Sequence, residues 1–268
     1  MLRAVFISHP QAPLLPARLV ARYDRFIAVV RLENGAEVEA HCVNPGRMEG
    51  LVRDGARAWV SGVAPESPRK LRYTLELLEL DGITIGVNTQ MPNLLAETLL
   101  RERRLAGLKR YRSVEREVPY GERSRIDLRL TTAAGLHFIE VKNCHLVYPD
   151  GGAYFPDSVS TRAAGHLEEL ARCVAAGHRA TVLFTVQRTD AAFVRPSDLH
   201  DPAFAAAARR ARAAGVRFRA ACFEPTPAGF TYRGERPVRL GSYAVEPLRA
   251  WRDALLPDSG WRRRGRRA

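Results

Sequence analysis

At 268 residues and 46% hydrophobic content, the chain is long enough to bury a full core, as one large domain or two small ones. Its 42 Lys and Arg against 29 Asp and Glu leave a net charge of +13, which favours an anionic partner, nucleic acid ahead of an acidic membrane surface. No stretch is long and apolar enough to span a bilayer, and Cys42, Cys144, Cys173 and Cys222 are too scattered for a zinc motif or a disulfide framework.

The segment from Met1 to Arg25 has scattered prolines and no continuous apolar region, so it does not read as a signal peptide. A reduced cytoplasm is the expected setting. The next stretch reads as β-structure. Arg25–Leu32 and Ala36–His41 flank Asn34-Gly35, and Tyr73–Leu80 and Ile83–Val87 flank Asp81-Gly82. Both dipeptides are hairpin signals, because their residues tolerate positive φ. With Ala56–Ser61 this makes five short strands, the size of an OB-like barrel.

The pattern changes near Val87-Asn88. A helix is expected over Asn93–Leu105, then strands over Val114–Val118, Ile126–Thr131 and Leu136–Lys142. A second helix over Thr161–Ala176, capped by Ser160 or Thr161, precedes a buried strand over Ala180–Val186. An alanine-rich helix over Pro202–Ala214 and a strand over Val216–Phe223 complete an α/β pattern with a partly parallel sheet. The reading is therefore an α+β chain of two domains, 1–87 and 88–240, with a basic, flexible tail over 241–268.

Only three of the 42 basic residues are lysines: Lys70, Lys109 and Lys142. Lys142 ends Glu140-Val141-Lys142 on an apolar strand, and Asp127 lies on the strand before it. If the two strands pair, both carboxylates reach one end of the sheet, and Lys142 shares the face of Glu140 by the period of two. Two carboxylates can hold Mg²⁺ or Mn²⁺ through hard oxygen ligands, and such an ion activates water and neutralises phosphate charge. A compact ammonium can hold the attacking water or the scissile phosphate. The competing reading is a surface hairpin with ordinary charges.

Other candidates have equally plain alternatives. Glu97 can add a helix carboxylate to the metal site, or pair with Arg101 one turn on. Arg162 and His166 share a helix face, where Arg162 can meet phosphate and His166 can assist or simply pack. Gln187 can orient water or read a base edge, or it caps a strand end. In the first domain, Asn44 and Arg47 can grip phosphate, with Gly46 allowing close backbone approach, or the loop is an ordinary turn. No GxGxxG, P-loop or GxSxG motif is present.

An ordered set of segments resembles the sugar fermentation stimulation protein A family. It comprises His41-Cys42-x-Asn44-x-Gly46-Arg47-Met48, Val87-Asn88-Thr89-Gln90-x-Pro92-Asn93, Ser124-Arg125-Ile126-Asp127, Glu140-Val141-Lys142-Asn143, Phe155-Pro156-Asp157, Thr161-Arg162 with His166-Leu167, and Val186-Gln187-Arg188. The resemblance implies an OB-like domain followed by a PD-(D/E)xK nuclease-like, restriction-endonuclease-like domain with a mixed sheet. It implies DNA as partner, with single-stranded nucleic acid and a homo-oligomer left open. It implies Asp127, Glu140 and Lys142 as the catalytic core, with Glu97 as the helix acid. Val43 and Pro45 replace the usual Pro and Thr of the first loop, and Ala163-Ala164 stands where glycine is common. Two functions follow: a magnesium-dependent DNA phosphodiesterase, or a DNA-binding regulator of sugar-utilisation genes that does not cut.

Overall fold

The computed structural model describes residues 5–64, 66–120 and 124–263. Its strands are β1 (Phe6–Ser8), β2 (Leu15–Tyr23), β3 (Ile27–Leu32), β4 (Glu37–His41), β5 (Arg57–Gly62), β6 (Tyr73–Leu80), β7 (Ile83–Gly86), β8 (Ser113–Tyr120), β9 (Ser124–Thr132) and β10 (Gly135–Cys144). They continue with β11 (Leu146–Val147), β12 (Gly152–Phe155), β13 (Arg179–Val186), β14 (Phe193–Pro196), β15 (Arg217–Thr226) and β16 (Gly229–Arg236). The helices are α1 (Met91–Arg101), α2 (Thr161–Ala175), α3 (Pro202–Ala213) and α4 (Glu246–Leu255).

The first sheet runs β4-β3-β2-β5-β6-β7, and a parallel β4–β6 pairing closes β2 to β6 into a barrel. Alternating residues such as Leu19, Val30, Val60 and Leu75 fill its interior. Asp81-Gly82 makes its turn with φ of 51° and 78°, as the hairpin signal requires.

The second sheet runs β1-β16-β15-β13-β10-β9-β8. Its centre, β10, β13 and β15, is parallel, and its flanks are antiparallel. Helix α1 lays Leu95 and Leu99 on one face, against Leu128, Ile139, Leu183 and Phe223. Helices α2 and α3 lay Leu167, Leu170 and Phe204 on the other, against Phe138, Val182 and Phe184. Burying such faces at about 25 cal/mol per Å² of apolar area is the main force holding the layers.

Helix α2 starts where Ser160 Oγ accepts the Ala163 amide. One carboxylate, Asp201, holds two helix starts: it accepts from the Ser160 amide before α2 and from the Phe204 amide in α3.

Three expectations change. The strand β1 belongs to the second sheet, so the chain's start crosses from one domain into the other. β2, β14 and β16 form where no strand was expected. Over its described part the tail from 241 includes a packed helix: α4 buries Leu248 against Leu146, Tyr148 and Tyr154, and Arg264–Arg267 lie outside the described residues.

Candidate active site

The β9–β10 ladder pairs Leu128 with Ile139, the last match in its register. Beyond it, Asp127 Oδ2 accepts the Val141 amide at 2.7 Å. The carboxylate thus replaces a main-chain acceptor and is fixed beside Glu140. Its other oxygen, Oδ1, accepts from Asn93 Nδ2 at 2.9 Å, from the first turn of α1.

Glu140 is 3% exposed, and its Oε1 accepts from Lys142 Nζ at 2.6 Å and meets His166 Nδ1. His166 is held on α2 by the four-residue spacing from Arg162, whose Nε meets His166 Nε2 at 3.3 Å. Glu140 Oε2 is buried and has no hydrogen-bond partner among the described residues. A buried, unpaired carboxylate oxygen is costly unless something positive completes it.

These groups line a cavity of about 470 Å³ together with Glu117, Arg125 and Ser160. Electrostatics splits its two inner acids. Burial and the neighbouring Glu140 charge push the Asp127 carboxyl up to about 6. Burial also works to raise Glu140, but the hydrogen bond from His166 and the charge of Lys142 outweigh it and hold Glu140 below its usual range.

The structure therefore brings Asp127, Glu140, Lys142, Arg162 and His166 together. It does not bring in Glu97. That carboxylate pairs with Arg101 at 2.7 Å and Arg116 at 3.3 Å, away from the cavity lining. The α1 residue that touches Asp127 is Asn93, one turn earlier. Glu117 enters the cavity lining from β8 with φ of +49°, a conformation that costs an L-residue about 1 kcal/mol or more. Sequence reasoning missed Glu117. Its signal was weak, because Glu117 is one of two glutamates beside Arg116 in a largely exposed edge strand.

The remaining candidates sit at the domain junction. Asn44 is 1% exposed and caps its own turn, its Oδ1 accepting the Gly46 amide at 2.9 Å. A Cβ on Gly46 would lie 2.6 Å from both Asp157 carboxylate oxygens, so glycine lets the first domain's loop dock on the second. Asp157 also accepts the Met48 amide, and burial notwithstanding, His145 beside it holds its carboxyl down at about 2. Arg47 is exposed, and its carbonyl accepts the Gly260 amide. Gln187 is fully buried, donating to Asn143 Oδ1 while its carbonyl accepts the Gly86 amide. It joins the domains, and its burial leaves no base edge within reach.

Comparison with known proteins now bears on this arrangement. Residues 20–87 match the SfsA N-terminal OB domain, and residues 90–229 match the sugar fermentation stimulation protein RE domain. The chain belongs to the sugar fermentation stimulation protein family. It is 44% identical over 229 residues to the sugar fermentation stimulation protein homolog of Geotalea uraniireducens, covering 85% of this chain and 98% of that one. It is 43% identical to the homolog of Rhodospirillum centenum, covering 86% and 98%. The solved structure of Pyrococcus furiosus SfsA in complex with Ca²⁺ superposes with a TM-score of 0.79 at 28% identity, covering 87% of this chain and 98% of that one. Residues 230–268 lie beyond both matched domains. Among the described residues no helix is long and apolar enough to cross a membrane.

Proposed function

We propose that the chain binds DNA and that the cavity over β9 and β10 is a magnesium-dependent phosphodiesterase site. The observation that carries this reading is the orphaned Glu140 Oε2, buried beside Asp127 and Lys142 at the floor of an open cavity. The donor set, two carboxylates and no cysteine, fits a hard divalent cation. The related archaeal protein is described in complex with Ca²⁺, which also takes oxygen ligands.

Asp127 and Glu140 would hold the ion, which when bound supplies charge neutralisation at the scissile phosphate and an acidified water. The protein's own groups do the rest. Asn93 and the Val141 amide fix the Asp127 carboxylate. His166 fixes Glu140. Lys142 places a positive charge at the cavity floor, where it can hold a phosphate oxygen or the attacking water. Arg162, exposed in the first turn of α2, adds charge where the helix N-terminus already favours an anion.

One observation favours grip without cutting. Glu97, the acid expected from α1, is paired with Arg101 and Arg116 and is not among the cavity-lining residues. The test is incubation of labelled single-stranded, duplex and branched DNA with the protein and Mg²⁺ or Mn²⁺, against EDTA. Metal-dependent cleavage, lost in both Asp127→Ala and Lys142→Ala, supports the enzyme. Binding without cleavage on every substrate supports the non-cleaving regulator instead.

A further inference from the structure

The segment after α4 lies beyond both matched domains, yet it is tied to the barrel by its main chain. The Gly260 amide donates to the Arg47 carbonyl, the Arg262 amide to the Arg22 carbonyl, and the Asp24 amide to the Arg262 carbonyl. A parallel bridge, Tyr23 with Arg262, completes the tie. Trp261 is therefore held from both sides while 38% exposed. Trp261 thus presents part of its ring to solvent at a place fixed by its neighbours' backbone.

Its surroundings give it a use. The Arg25 guanidinium lies 5.0 Å from the Trp261 ring centroid and 5.8 Å from the Phe26 ring, and Phe26 is itself 43% exposed. Arg25 also lines a junction cavity of about 380 Å³ between the two domains. In that cavity stands Asn44, whose buried Nδ2 has no hydrogen-bond partner among the described residues. Ser160 lines both this cavity and the Asp127–Glu140 cavity, so the two adjoin.

We infer that Trp261, Arg25 and Phe26 form a stacking platform for an unpaired base of single-stranded DNA entering the junction cavity, where Asn44 Nδ2 donates to the strand. The inference rests on the DNA-binding reading above and names the form of DNA that the site takes. Aromatic faces stack any base, and the arginine adds cation–π and phosphate attraction. A duplex keeps its bases paired and offers the platform nothing. Trp261 comes from a segment outside the two matched domains, whereas Arg25 and Phe26 belong to the barrel, so the platform can set substrate form independently of the acid–lysine site.

The probes are oligothymidylate, the same backbone with abasic sites, and a duplex of equal length, in EDTA. Affinities are read by fluorescence anisotropy for the wild type, Trp261→Ala, Phe26→Ala and Trp261→Phe. Thermal unfolding checks that each variant is folded. The platform predicts that Trp261→Ala weakens oligothymidylate roughly tenfold, leaves the abasic and duplex strands unchanged, and is largely rescued by Trp261→Phe. Equal weakening of all three probes would make Trp261 a structural tie and overturn the platform. So would unchanged or tighter oligothymidylate binding, the latter marking the segment as a cover. A wild type that binds none of the probes removes the DNA reading itself, whereas wild-type binding with no preference for bases removes only the platform.

Discussion

Asp127 and Glu140 face one another past the end of the β9–β10 ladder, and their carboxyls are driven in opposite directions. Asp127 is raised to about 6 by burial and by the Glu140 charge. Glu140 is held down, against its burial, by His166 and Lys142. Asp127 gives up its proton only as pH rises through about 6. A cation shared between them would relieve the repulsion that raises the other, so ion binding and Asp127 deprotonation are coupled.

That coupling has a pH signature. The folded state holds a proton on Asp127 between the ordinary carboxyl range and about 6, where the unfolded chain does not. Stability from this group therefore rises as pH falls from about 7 toward 4, and is absent at higher pH. Relative to Asp127→Asn, which does not titrate there, the wild type gains up to about 3 kcal/mol over that window. Urea unfolding of both proteins across the window, without divalent metal, checks it. The proposed cleavage is expected to run the other way at limiting metal, where protonation of Asp127 below about 6 weakens ion binding.

Lys142→Ala lowers metal-dependent cleavage by roughly 100-fold or more, the scale of losing a positioned acid, base or charge. Lys142→Arg does not rescue it, because a planar guanidinium cannot take the place of a compact ammonium 2.6 Å from Glu140. Single-turnover rates with saturating DNA separate this from a change in binding. A rate for Lys142→Arg near wild type would show that the charge alone suffices.

Glu97→Ala leaves cleavage unchanged. Its partners, Arg101 and Arg116, are about half exposed. Glu97 itself is only 8% exposed, so removing its carboxylate costs about 1–3 kcal/mol, while both arginines keep access to water. Thermal unfolding and cleavage rate together check this. A rate collapse with an unchanged unfolding midpoint would restore Glu97 to the site.

Gly46→Ala forces a methyl group to within 2.6 Å of the Asp157 carboxylate. The expected loss is about 1–3 kcal/mol, from overpacking of the junction. Gly35→Ala is a control, since a Cβ there meets nothing within 4 Å and the strain comes from its φ of 84° alone. Calorimetry should show the Gly46 change separating the unfolding of the barrel from that of the second sheet.

Glu49→Ala disrupts the same junction from another point. Glu49 is 2% exposed, hydrogen-bonded to Tyr148 and 2.9 Å from His200. Its removal takes a partner from the Tyr148 hydroxyl and from His200 Nε2, while His200 Nδ1 keeps Ser197, at about 3 kcal/mol. Glu49→Gln keeps the shape and should lose less. Chemical unfolding of the two variants ranks them.

The hairpins at Asn34-Gly35 and Asp81-Gly82, the three helices α1 to α3 and the buried β13 were legible because period and turn chemistry agree locally. β2 was hidden by Pro16, Arg18 and Arg22, and β16 by polar residues suited to a strand near a sheet edge. α4 was hidden because its only buried residue is Leu248, in a segment otherwise dominated by exposed and basic residues.

For the site, sequence determined the chemistry available. An acid on one strand and an acid-x-lysine on the next share a face through the strand period, and a lysine kept in an arginine-rich chain marks the position. Tertiary structure decided which further groups joined them. Spacing along one element cannot say where another element's side chain ends, so Asn93, Glu117 and His166 enter only once α1, β8 and α2 are packed around β10. The same limit turned Gln187 from a surface contact into a junction residue and set Asn44 in the wall of the junction cavity. Their burial depends on how the barrel docks on the second sheet, a long-range packing outcome that no local pattern encodes.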